Sequence, residues 1–314
     1  MKVLDLFSGM GGLASGFKAA GFQVTGVDRS ELAGQTFELN GFGRFVQKDL
    51  LMENMTGNYE ILIGGPPCRP WSSVNTIKRE KRHLDYRLLG VYFKHVLALR
   101  PRPLAFVFEN VPPAGHSGTF EYWSRKAERA GYSILKTNIK YSEFGAATRR
   151  QRFFAVGVLN DQSSRVKEAL DKRRSPESTV KSKIWDLRNT ERGQKSYHEW
   201  PRLNTIEKYL PLYNSGKYGW YKLKWGEPAP SFGNIMKTYI LHPDSLQPKR
   251  KNCNLKEKDR VISVREAFLI MGFSEGLRFP ERAGLAAKYQ MIADSVSPVF
   301  SRKLAEAIKE VLQP

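Results

Sequence analysis

Cysteine is scarce in this chain of 314 residues, which contains only Cys68 and Cys253. Two cysteines are too few for a disulfide framework or a four-cysteine zinc site, which suits a reducing cytosol and implies no metal. The N-terminal stretch MKVLDLFSGMGG places Asp5 inside its apolar run and glycines straight after it. That pattern excludes a signal peptide or a membrane span there, so we expect a soluble, cytoplasmic protein. We also expect it to act as a monomer.

Acidic residues are also in deficit, since 31 Asp and Glu face 51 Lys and Arg and leave a net charge of +20. A polyanion is the natural partner for such a chain. The excess is uneven, because residues 161–260 alone hold 22 Lys and Arg against 12 Asp and Glu. A solvated basic surface with no partner is the alternative interpretation of the same charges.

The first 158 residues alternate apolar runs typical of strands with amphipathic stretches typical of helices. The strand-like runs are KVLDLFS, FQVTGVD, RFVQKDL, YEILIGGPP, LAFVFENV, YSILKTNIKY and RFFAVGVL, and the helical ones include GLASGFKAA and ELAGQTFELN. This alternation predicts an α/β fold with a doubly wound, mostly parallel sheet. Ligands of such sheets bind at the carboxyl ends of the strands, so the residues just after each run are the candidates for function.

Three of these strand ends suggest a nucleotide-like ligand. In FSGMGG, residues 7–12, the glycines let the backbone turn sharply and approach a ligand at a helix N-terminus. Asp28 ends the second strand and could accept hydrogen bonds from both hydroxyls of a ribose. Asp49 closes the third strand beside the expected adenine position. Helix N-capping is the alternative role for either aspartate.

The fourth and fifth strand ends carry GGPPC and FENV, and thus Cys68 and Glu109. If the two strands are neighbours, a nucleophile and a proton donor emerge side by side, which is an active-site arrangement. The prolines around Cys68 would fix the direction of its thiolate. The alternatives are a buried, inert cysteine and a surface carboxylate.

Two arginines alternate in ATRRQRFF, so Arg150 and Arg152 are expected to face the same side of a strand. Their guanidinium groups could hold a thiolate, a phosphate or a base carbonyl. A third basic cluster, in VNTIKREKRHLDYR, contains Lys78, Arg79, Lys81 and Arg82 and could close on phosphates of a nucleic acid. The start of a solvated helix is the alternative for that cluster.

Taken together, these motifs resemble the DNA cytosine-5 methyltransferases, which use S-adenosylmethionine. The matching blocks are DLFSGMGGL, the acid after strand two, KDL, GGPPCRPWS, FENVP, TRRQR, RVISVREAFLIMGF and KYQMIADSVSP. Each block alone is a weak signal, but the ordered set is specific and covers nearly all of the chain except the middle. The resemblance implies a Rossmann-like methyltransferase sheet, and double-stranded DNA as partner in DNA methylation of the restriction–modification kind.

The resemblance also implies roles for individual residues. Cys68 would attack the 6-carbon of a flipped-out cytosine, and Glu109 would share a proton with ring nitrogen 3. Arg152 would contact the 2-oxo group, and Arg150 would lie near the thiolate. The implied cofactor-binding residues are Phe7, Ser8, Gly9, Gly11, Gly12, Leu13, Asp28, Arg29, Asp49, Leu50, Pro67, Ser295 and Val296.

The family's variable target-recognition domain corresponds here to residues 160–260, the basic stretch. The catalytic domain would then be discontinuous, with residues 1–159 and 261–314, and the helical stretch SPVFSRKLAEAIKEVL would return to pack on it. The chain departs from the family pattern at Arg69, Asp28 and Thr148, and at Ala293-Asp294, where the family has Gly-Asn.

Three other functions remain open at the level of sequence. A tRNA cytosine-5 methyltransferase carries the same motif set, and net charge does not separate the two nucleic acids. A non-catalytic DNA-binding regulator could keep the cofactor fold, although Cys68, Glu109 and both arginines argue against it. An NAD-dependent oxidoreductase follows from the glycine loop alone.

Overall fold

The computed structural model describes residues 1–68, 71, 84–202, 221–238, 240–245 and 260–313. The chain divides into two compact units. The sheet unit comprises residues 1–140, 151–175 and 298–314, and the smaller unit comprises residues 141–150 and 176–297. These boundaries are not those of the expected domains, because residues 160–175 lie in the sheet unit and residues 261–297 in the smaller one. Which segment recognises a target is a question of function, and that assignment stays a prediction.

The sheet unit is built on seven strands in the order β3-β2-β1-β4-β5-β7-β6. The strands are β1 (Lys2–Leu6), β2 (Gln23–Asp28), β3 (Arg44–Gln47), β4 (Ile61–Gly64), β5 (Ala105–Asn110), β6 (Tyr132–Lys140) and β7 (Gln151–Leu159). Only β7 runs antiparallel to its neighbours, β5 and β6. The expected mostly parallel, doubly wound sheet is therefore confirmed, and every expected strand is present.

Helices of the sheet unit alternate with these strands. They are α1 (Gly12–Ala19), α2 (Glu31–Leu39), α3 (Leu88–Ala98), α4 (Pro112–Gly115), α5 (Gly118–Arg129), α6 (Ser163–Asp171) and, at the end of the chain, α11 (Pro298–Leu312). The start of α2 is fixed by Ser30, whose side chain accepts a hydrogen bond from the Ala33 amide. Asp28 is therefore not the N-cap of α2.

The strand order reverses at β1, which pairs with β2 on one side and with β4 on the other. In a doubly wound sheet the connections on the two sides of such a strand go to opposite faces, and a crevice opens outside its carboxyl end. The segments that follow β1, β2, β3, β4 and β5 all leave the sheet at this same edge. The sequence places its candidate residues in these segments.

Aromatic side chains fill the core on one face of the sheet. Phe93 of α3 lies with its ring centroid 5.5 Å from that of Phe108 and 5.9 Å from that of Phe120. Phe106 and Phe108 both come from β5, and all of these rings are fully buried. Burying one such side chain contributes about 1.5–3 kcal/mol, so this cluster fixes β5 and hence the residues at its end.

The other face is closed by α11, which packs along α1 as the helical spacing of SPVFSRKLAEAIKEVL predicted. The two helices approach closely at Gly16, where a Cβ would lie 2.3 Å from the backbone nitrogen of Arg302. The Ser301 hydroxyl donates a hydrogen bond to the carbonyl of Leu13. A residue larger than glycine at position 16 would force the helices apart.

The smaller unit contains short elements among its described residues. These are α7 (Lys181–Ile184), α8 (Ile235–Thr238), α9 (Val264–Met271), α10 (Leu285–Asp294), and a two-stranded parallel sheet of β8 (Tyr221–Lys222) and β9 (Ile240–Leu241). Ser263 and Glu266 form a capping box at the start of α9, each side chain bonding to the other's backbone amide. The whole of α9 is buried, which makes it the central helix of this unit.

A buried ion pair lies beside that capping box. The guanidinium of Arg260 donates two hydrogen bonds to Glu266, at 2.7 and 2.8 Å, and Glu266 is 0% exposed. Burial on its own raises the pKa of Glu266, but the hydrogen bonds and charge of Arg260 outweigh it and hold that pKa below its usual value. His242, 3.6 Å from the same carboxylate, is neutral at neutral pH because burial lowers its pKa to about 4. Arg260 is thus the main cation facing Glu266.

Among the described residues, no helix combines the length and the apolar character needed to cross a membrane.

Candidate active site

The candidate site occupies the carboxyl edge of the sheet unit, where Cys68 follows β4. Strand β4 pairs in parallel with β5, and Gly64 is the register partner of Phe108. Cys68 is therefore carried beside the end of β5, as expected if the two strands are neighbours. Among the described residues Cys68 forms no disulfide bond, and it is only partly buried, as is Pro67 before it.

Glu109 lies near the end of β5 and forms an ion pair with Arg152 of β7. The Nε atom of Arg152 is 3.3 Å from Oε1 of Glu109, and the two side chains are 14% and 13% exposed. Arg152 also donates a hydrogen bond to the carbonyl of Gln151. Poorly solvated pairs of this kind are screened little by salt, so the guanidinium holds the carboxyl group in a fixed orientation.

Two glycines before the thiol, Gly64 and Gly65, set how closely these groups approach. A Cβ on Gly65 would lie 2.5 Å from Oε2 of Glu109, so the second carboxyl oxygen faces the space that Gly65 leaves open. A Cβ on Gly64 would lie 2.3 Å from the backbone oxygen of Leu6 in β1. Gly64 is therefore required for strand packing, whereas Gly65 leaves room for the acid beside the thiol-bearing loop.

Two residues that sequence reasoning did not single out hold this loop, Asn110 and Trp71. The amide nitrogen of Asn110 donates a hydrogen bond of 2.9 Å to the carbonyl of Pro66. The backbone amide of Trp71 donates one of 2.9 Å to the carbonyl of Cys68, and the Trp71 ring is nearly buried and packs against Tyr86. Both residues belong to motifs quoted above, FENVP and GGPPCRPWS. Their position in these motifs could have singled them out, whereas their residue types alone could not.

The glycine loop begins with backbone strain at Phe7. Its φ is 59°, in the left-handed region that non-glycine residues rarely adopt, and Gly9 follows with a φ of 52°. Nothing lies within 4 Å of the position that a Cβ on Gly9 would take. The buried hydroxyl of Ser8 has no hydrogen-bond partner among the described residues. This turn thus leaves open space beside an unpaired polar group, as a ligand-binding loop does.

The second half of the loop leads into α1. Gly11 is the N-cap residue with a φ of 95°, and a Cβ there would meet the rings of Phe37 and Phe42 at 2.7 and 2.6 Å. Gly12 is the first residue of α1, and Leu13 after it is buried in the core. A side chain at position 11 is excluded on both counts, which keeps the amides of the first turn accessible from the edge of the sheet.

Asp28 ends β2 and ties the glycine loop to its own strand. Its two carboxylate oxygens accept hydrogen bonds from the amides of Gly9 and Ser30, each at 2.9 Å. A carboxylate has about four acceptor positions, so both oxygens keep capacity for a further donor. Arg29, next in the chain, is exposed.

Asp49 follows β3 and forms a tight local turn. Its Oδ1 accepts from the amide of Leu51 at 3.0 Å, and its backbone oxygen accepts from the amides of Met52 and Glu53. Leu50 is buried in the core, whereas the side chain of Met52 is 85% exposed. The turn therefore presents a carboxylate and an apolar side chain together at the same edge.

Asp5 is a further carboxyl group at this edge that sequence reasoning did not assign to the site. It is the next-to-last residue of β1, it is 1% exposed, and its Oδ2 has no hydrogen-bond partner among the described residues. Burial raises the pKa of Asp5 well above its usual value, the negative charges of Asp28 and Glu109 add to this, and a hydrogen bond from the Ala14 amide partly offsets it. Three acidic groups therefore gather here in a chain whose net charge is +20.

Arg150 belongs to the smaller unit, whereas Arg152 belongs to the sheet unit, and the two arginines have different hydrogen-bond partners. It is 4% exposed, and its guanidinium donates hydrogen bonds to the carbonyls of Phe232 and Ala293. Those partners are 82 and 143 residues away in the chain. Within its own unit, Arg150 ties the backbone after β8 to the end of α10.

The segment after α10 carries Ser295 and Val296, both nearly buried. The amide of Ser295 donates to the carbonyl of Ile292, which ends the helix. Asp294, where the family has Asn, is held back on its own helix by Gln290, whose amide nitrogen donates to both carboxylate oxygens at 2.9 Å. The added carboxylate thus has a partner within α10.

The basic cluster of Lys78, Arg79, Lys81 and Arg82 lies outside the described residues, and its role stays a prediction. In the part of the chain that the structure describes, no three His, Cys, Asp or Glu side chains gather in a way that could hold a metal ion.

Comparison with known proteins gives the family. The profile of the C-5 cytosine-specific DNA methylase family matches residues 1–310. Among curated proteins, the type II methyltransferase M.NgoPII of Neisseria gonorrhoeae is 25% identical over 100% of this chain and 96% of its own length. The type II methyltransferase M.FnuDI of Fusobacterium nucleatum is 26% identical over 99% of this chain and 95% of its own length.

Solved structures share the fold at lower identity. The S. pombe Dnmt2 methyltransferase superposes with a TM-score of 0.78 at 16% identity, covering 100% of both chains. The Entamoeba histolytica methyltransferase EhMeth gives a TM-score of 0.77 at 18% identity, covering 100% of this chain and 99% of its own. The match of the family profile to almost the whole chain decides the family membership. The chain belongs to the C-5 cytosine-specific DNA methylase family, whose members transfer a methyl group to the 5-carbon of cytosine in DNA.

Proposed function

We propose that this protein methylates cytosine at a specific site in double-stranded DNA, through a covalent bond between Cys68 and the 6-carbon of a flipped-out base. The observation that carries the proposal is the juxtaposition at the ends of β4 and β5. Cys68 follows β4, and Glu109 is the next-to-last residue of β5, with its carboxyl group held by Arg152. A nucleophile, an acid and a fixed guanidinium on neighbouring strands are the groups that this reaction needs.

In this mechanism the thiolate of Cys68 adds to the 6-carbon, which is electron-poor, and electron density moves through the ring to nitrogen 3. The carboxyl group of Glu109 shares a proton with that nitrogen and stabilises the developing charge. Arg152 would keep Glu109 oriented and would donate a hydrogen bond to the 2-oxo group. The 5-carbon becomes nucleophilic as a result. After methylation the 5-proton is lost to a base, the 5,6 double bond re-forms, and the thiolate of Cys68 leaves.

The donor we propose is S-adenosylmethionine, which supplies an electrophilic methyl group on a sulfonium. The residues at the edge of the sheet fit it. The donor is cationic at its sulfonium and amino groups, and the carboxyl groups of Asp5, Asp28 and Glu109 gather at this edge of a basic protein. The open position at Gly9 and the unpaired Ser8 hydroxyl offer space and a polar contact. Asp28 would accept from the ribose hydroxyls, and Asp49 would lie beside the adenine.

We expect Asp28→Ala to weaken S-adenosylmethionine binding by about tenfold or more, since each charge-assisted hydrogen bond to the ribose contributes about 1.5–3 kcal/mol. Isothermal titration calorimetry gives the dissociation constant. Asp28 also holds the amides of Gly9 and Ser30, so Asp28→Asn is the matched control, because its one amide oxygen can still accept from Gly9 while the charge and the second acceptor oxygen are lost. A dissociation constant unchanged in Asp28→Ala would reject the ribose assignment.

The remaining implied parts of the site extend the proposal to DNA. The recognition segment at 160–260 would choose the target sequence, and Lys78, Arg79, Lys81 and Arg82 would contact phosphates. The curated relatives are named type II methyltransferases, and we propose the same setting for this chain, a modification enzyme acting on DNA in the cytoplasm.

The decisive experiment is base-resolution sequencing of 5-methylcytosine in DNA from cells that express the protein, with cells expressing Cys68→Ala as the control. We expect methylation at one recurrent short sequence in the first sample and none above background in the second. The purified protein would be assayed in parallel on duplex DNA and on tRNA. Methyl transfer to tRNA alone would replace the DNA assignment, and no transfer to either would favour a non-catalytic binding protein.

A further inference from the structure

We propose that Asn110 is the positioning residue of Cys68, holding the proline-rich loop that carries the thiol. This inference rests on the proposed function, because it assumes that Cys68 is the nucleophile. The described hydrogen bonds of the Asn110 side chain are to the backbone of Pro66 and Val111, and the proposed mechanism gives it no contact with the cytosine. It acts on the backbone of residues 65–68, which we call the thiol loop.

The thiol loop has few donors of its own. Residues 66 and 67 are both prolines, which have no backbone N–H, so the loop is unable to continue the hydrogen-bond ladder of the sheet. The described ladder with β1 and with β5 ends at Gly64. A buried carbonyl in such a segment needs a donor from elsewhere, because a buried polar group without a partner costs about 1–3 kcal/mol.

Asn110 supplies that donor from the last position of β5. Its Nδ2 donates to the carbonyl of Pro66 at 2.9 Å, across a separation of 44 residues. Its Oδ1 accepts from the amide of Val111, also at 2.9 Å, which fixes the orientation of the side-chain amide. The residue is 1% exposed and is paired with Phe153 of β7, so the donor has a rigid base.

The prolines convert this single contact into control of the thiol. Each proline fixes its own φ near −65°, so residues 66 and 67 form a stiff connection between the anchored carbonyl and Cys68. On the far side, the Cys68 carbonyl is held by the amide of Trp71. The backbone on both sides of the Cys68 side chain is therefore held. Of these two contacts, the one from Asn110 is made by a side chain and can be removed by substitution.

The same residue links the thiol to the acid. Asn110 follows Glu109 directly, and Gly65 precedes Pro66, while Oε2 of Glu109 faces Gly65. A hydrogen bond between Asn110 and Pro66 thus joins the two strand ends just beyond the point where the carboxyl group meets the loop. Its loss would let the thiol and the acid move relative to each other, and a misplacement of about 1 Å costs about a hundredfold in rate.

The principal test is Asn110→Leu, which keeps the side-chain size and removes the donor. We expect kcat for methyl transfer to fall by about a hundredfold, with KM for DNA and for the methyl donor within about twofold of the parent protein. A second measurement does not use methyl transfer. Iodoacetamide alkylation is followed by mass spectrometry, with Cys253 as the internal reference, and we expect Cys68 to react faster relative to Cys253 once its loop is released.

Asn234 provides the matched control in the smaller unit. It is also buried, its Nδ2 donates to the carbonyl of Ala286 at 3.0 Å, and its Oδ1 accepts from the amide of Met236. Asn234→Leu removes the same kind of contact, and we expect it to lower the melting temperature without changing the Cys68 to Cys253 alkylation ratio. A change of that ratio equal to the change in Asn110→Leu would make the effect merely structural and overturn the proposal.

Asn110→Asp is a second variant, in which lowering the pH should restore kcat. It also tests the proposal if Asn110→Leu fails to fold. An aspartic acid donates to the Pro66 carbonyl only when protonated, so its kcat relative to the parent should rise as the pH is lowered. A ratio that stays depressed and independent of pH overturns the proposal, as do parental kcat and alkylation in Asn110→Leu. Should Cys68→Ser keep full turnover, the proposed function falls. If that variant is inactive while Asn110→Leu behaves as the parent, only the positioning role falls.

Discussion

Replacement of Cys68 by serine is expected to reduce kcat for methyl transfer by at least about four orders of magnitude, because loss of the nucleophile in a covalent mechanism has effects of this size. A serine hydroxyl has almost the shape of the thiol but is hardly ionised near neutral pH, so it does not attack the 6-carbon. The thiol loop should stay in place, since the hydrogen bonds from Asn110 and Trp71 go to the backbone carbonyls of Pro66 and Cys68, which the substitution leaves unchanged. Transfer of a labelled methyl group to duplex DNA, measured in single turnover, gives the rate.

The control for this variant is its binding behaviour. Calorimetry should give dissociation constants for the methyl donor and for DNA within about twofold of the parent, because serine has nearly the size of cysteine and keeps a polar hydrogen-bonding group at this position. Cys68→Ala, which has no side-chain oxygen, should be equally inactive. Turnover in Cys68→Ser within a factor of about ten of the parent would remove Cys68 as the nucleophile.

The second large effect concerns stability, and we expect Glu266→Ala to destabilise the smaller unit by about 3–5 kcal/mol, the cost of leaving one partner of a buried ion pair alone. Glu266 is fully buried, and it neutralises Arg260, caps α9 through the amide of Ser263 and lies 3.6 Å from His242. Its removal leaves the guanidinium without a counter-ion. Hydrogen exchange of the α9 and α10 amides reports the free energy of opening in this unit alone.

A second ion pair, also made from the first turn of α9, offers the comparison. Arg265 contacts Glu275 at 2.6 Å, yet the side chain of Glu275 is 76% exposed, and exposed pairs contribute about 0–1 kcal/mol. Glu275→Ala should therefore leave exchange in α9 nearly unchanged. If Glu266→Ala cost no more than Glu275→Ala, water or a rearranged partner would be solvating Arg260, and the ion pair would not support α9.

The sheet could be predicted because each of its strands has a recognisable local sequence pattern. Runs such as KVLDLFS and LAFVFENV are mostly apolar, as strands buried on both faces are, and their alternation with helical stretches indicates parallel pairing. The same rule placed Cys68 and Glu109 at one edge, since neighbouring parallel strands end together. The return of α11 to the sheet unit was also readable, from the apolar stripe of a single helix.

The hydrogen-bond partners of side chains could not be predicted from the sequence. Nothing in the local sequence shows that Arg150 donates to carbonyls 82 and 143 residues away, or that Asn110 bonds to Pro66. Two arginines two residues apart suggest a functional pair. In the structure Arg152 forms an ion pair with Glu109, whereas Arg150 donates hydrogen bonds to backbone carbonyls of the smaller unit. Periodicity gives the face of an element, whereas hydrogen-bond partners depend on tertiary packing that no spacing encodes.

The boundaries of the two compact units could not be predicted from the sequence either, for a related reason. Residues 261–297 carry motifs of the catalytic family, which suggested that they fold with the sheet. Their apolar residues show only that α9 and α10 are buried, and not against what. In the structure α9 packs with α7 and α10, and its first turn is tied to Arg260, so these residues complete the smaller unit.

The packing of α11 along α1 bears on how the chain is made. Roughly 280 residues separate the two helices, which at a synthesis rate of about 5–20 residues per second leaves α1 without its partner for roughly 15 to 60 seconds. During that interval the face of α1 around Gly16, which has no side chain of its own to shield it, is open on the nascent protein. A ribosome-bound chain with its first helix uncovered is aggregation-prone, and this is the period in which chaperones would be needed. Truncations that remove α11 should therefore yield insoluble protein even though they leave all seven strands of the sheet intact.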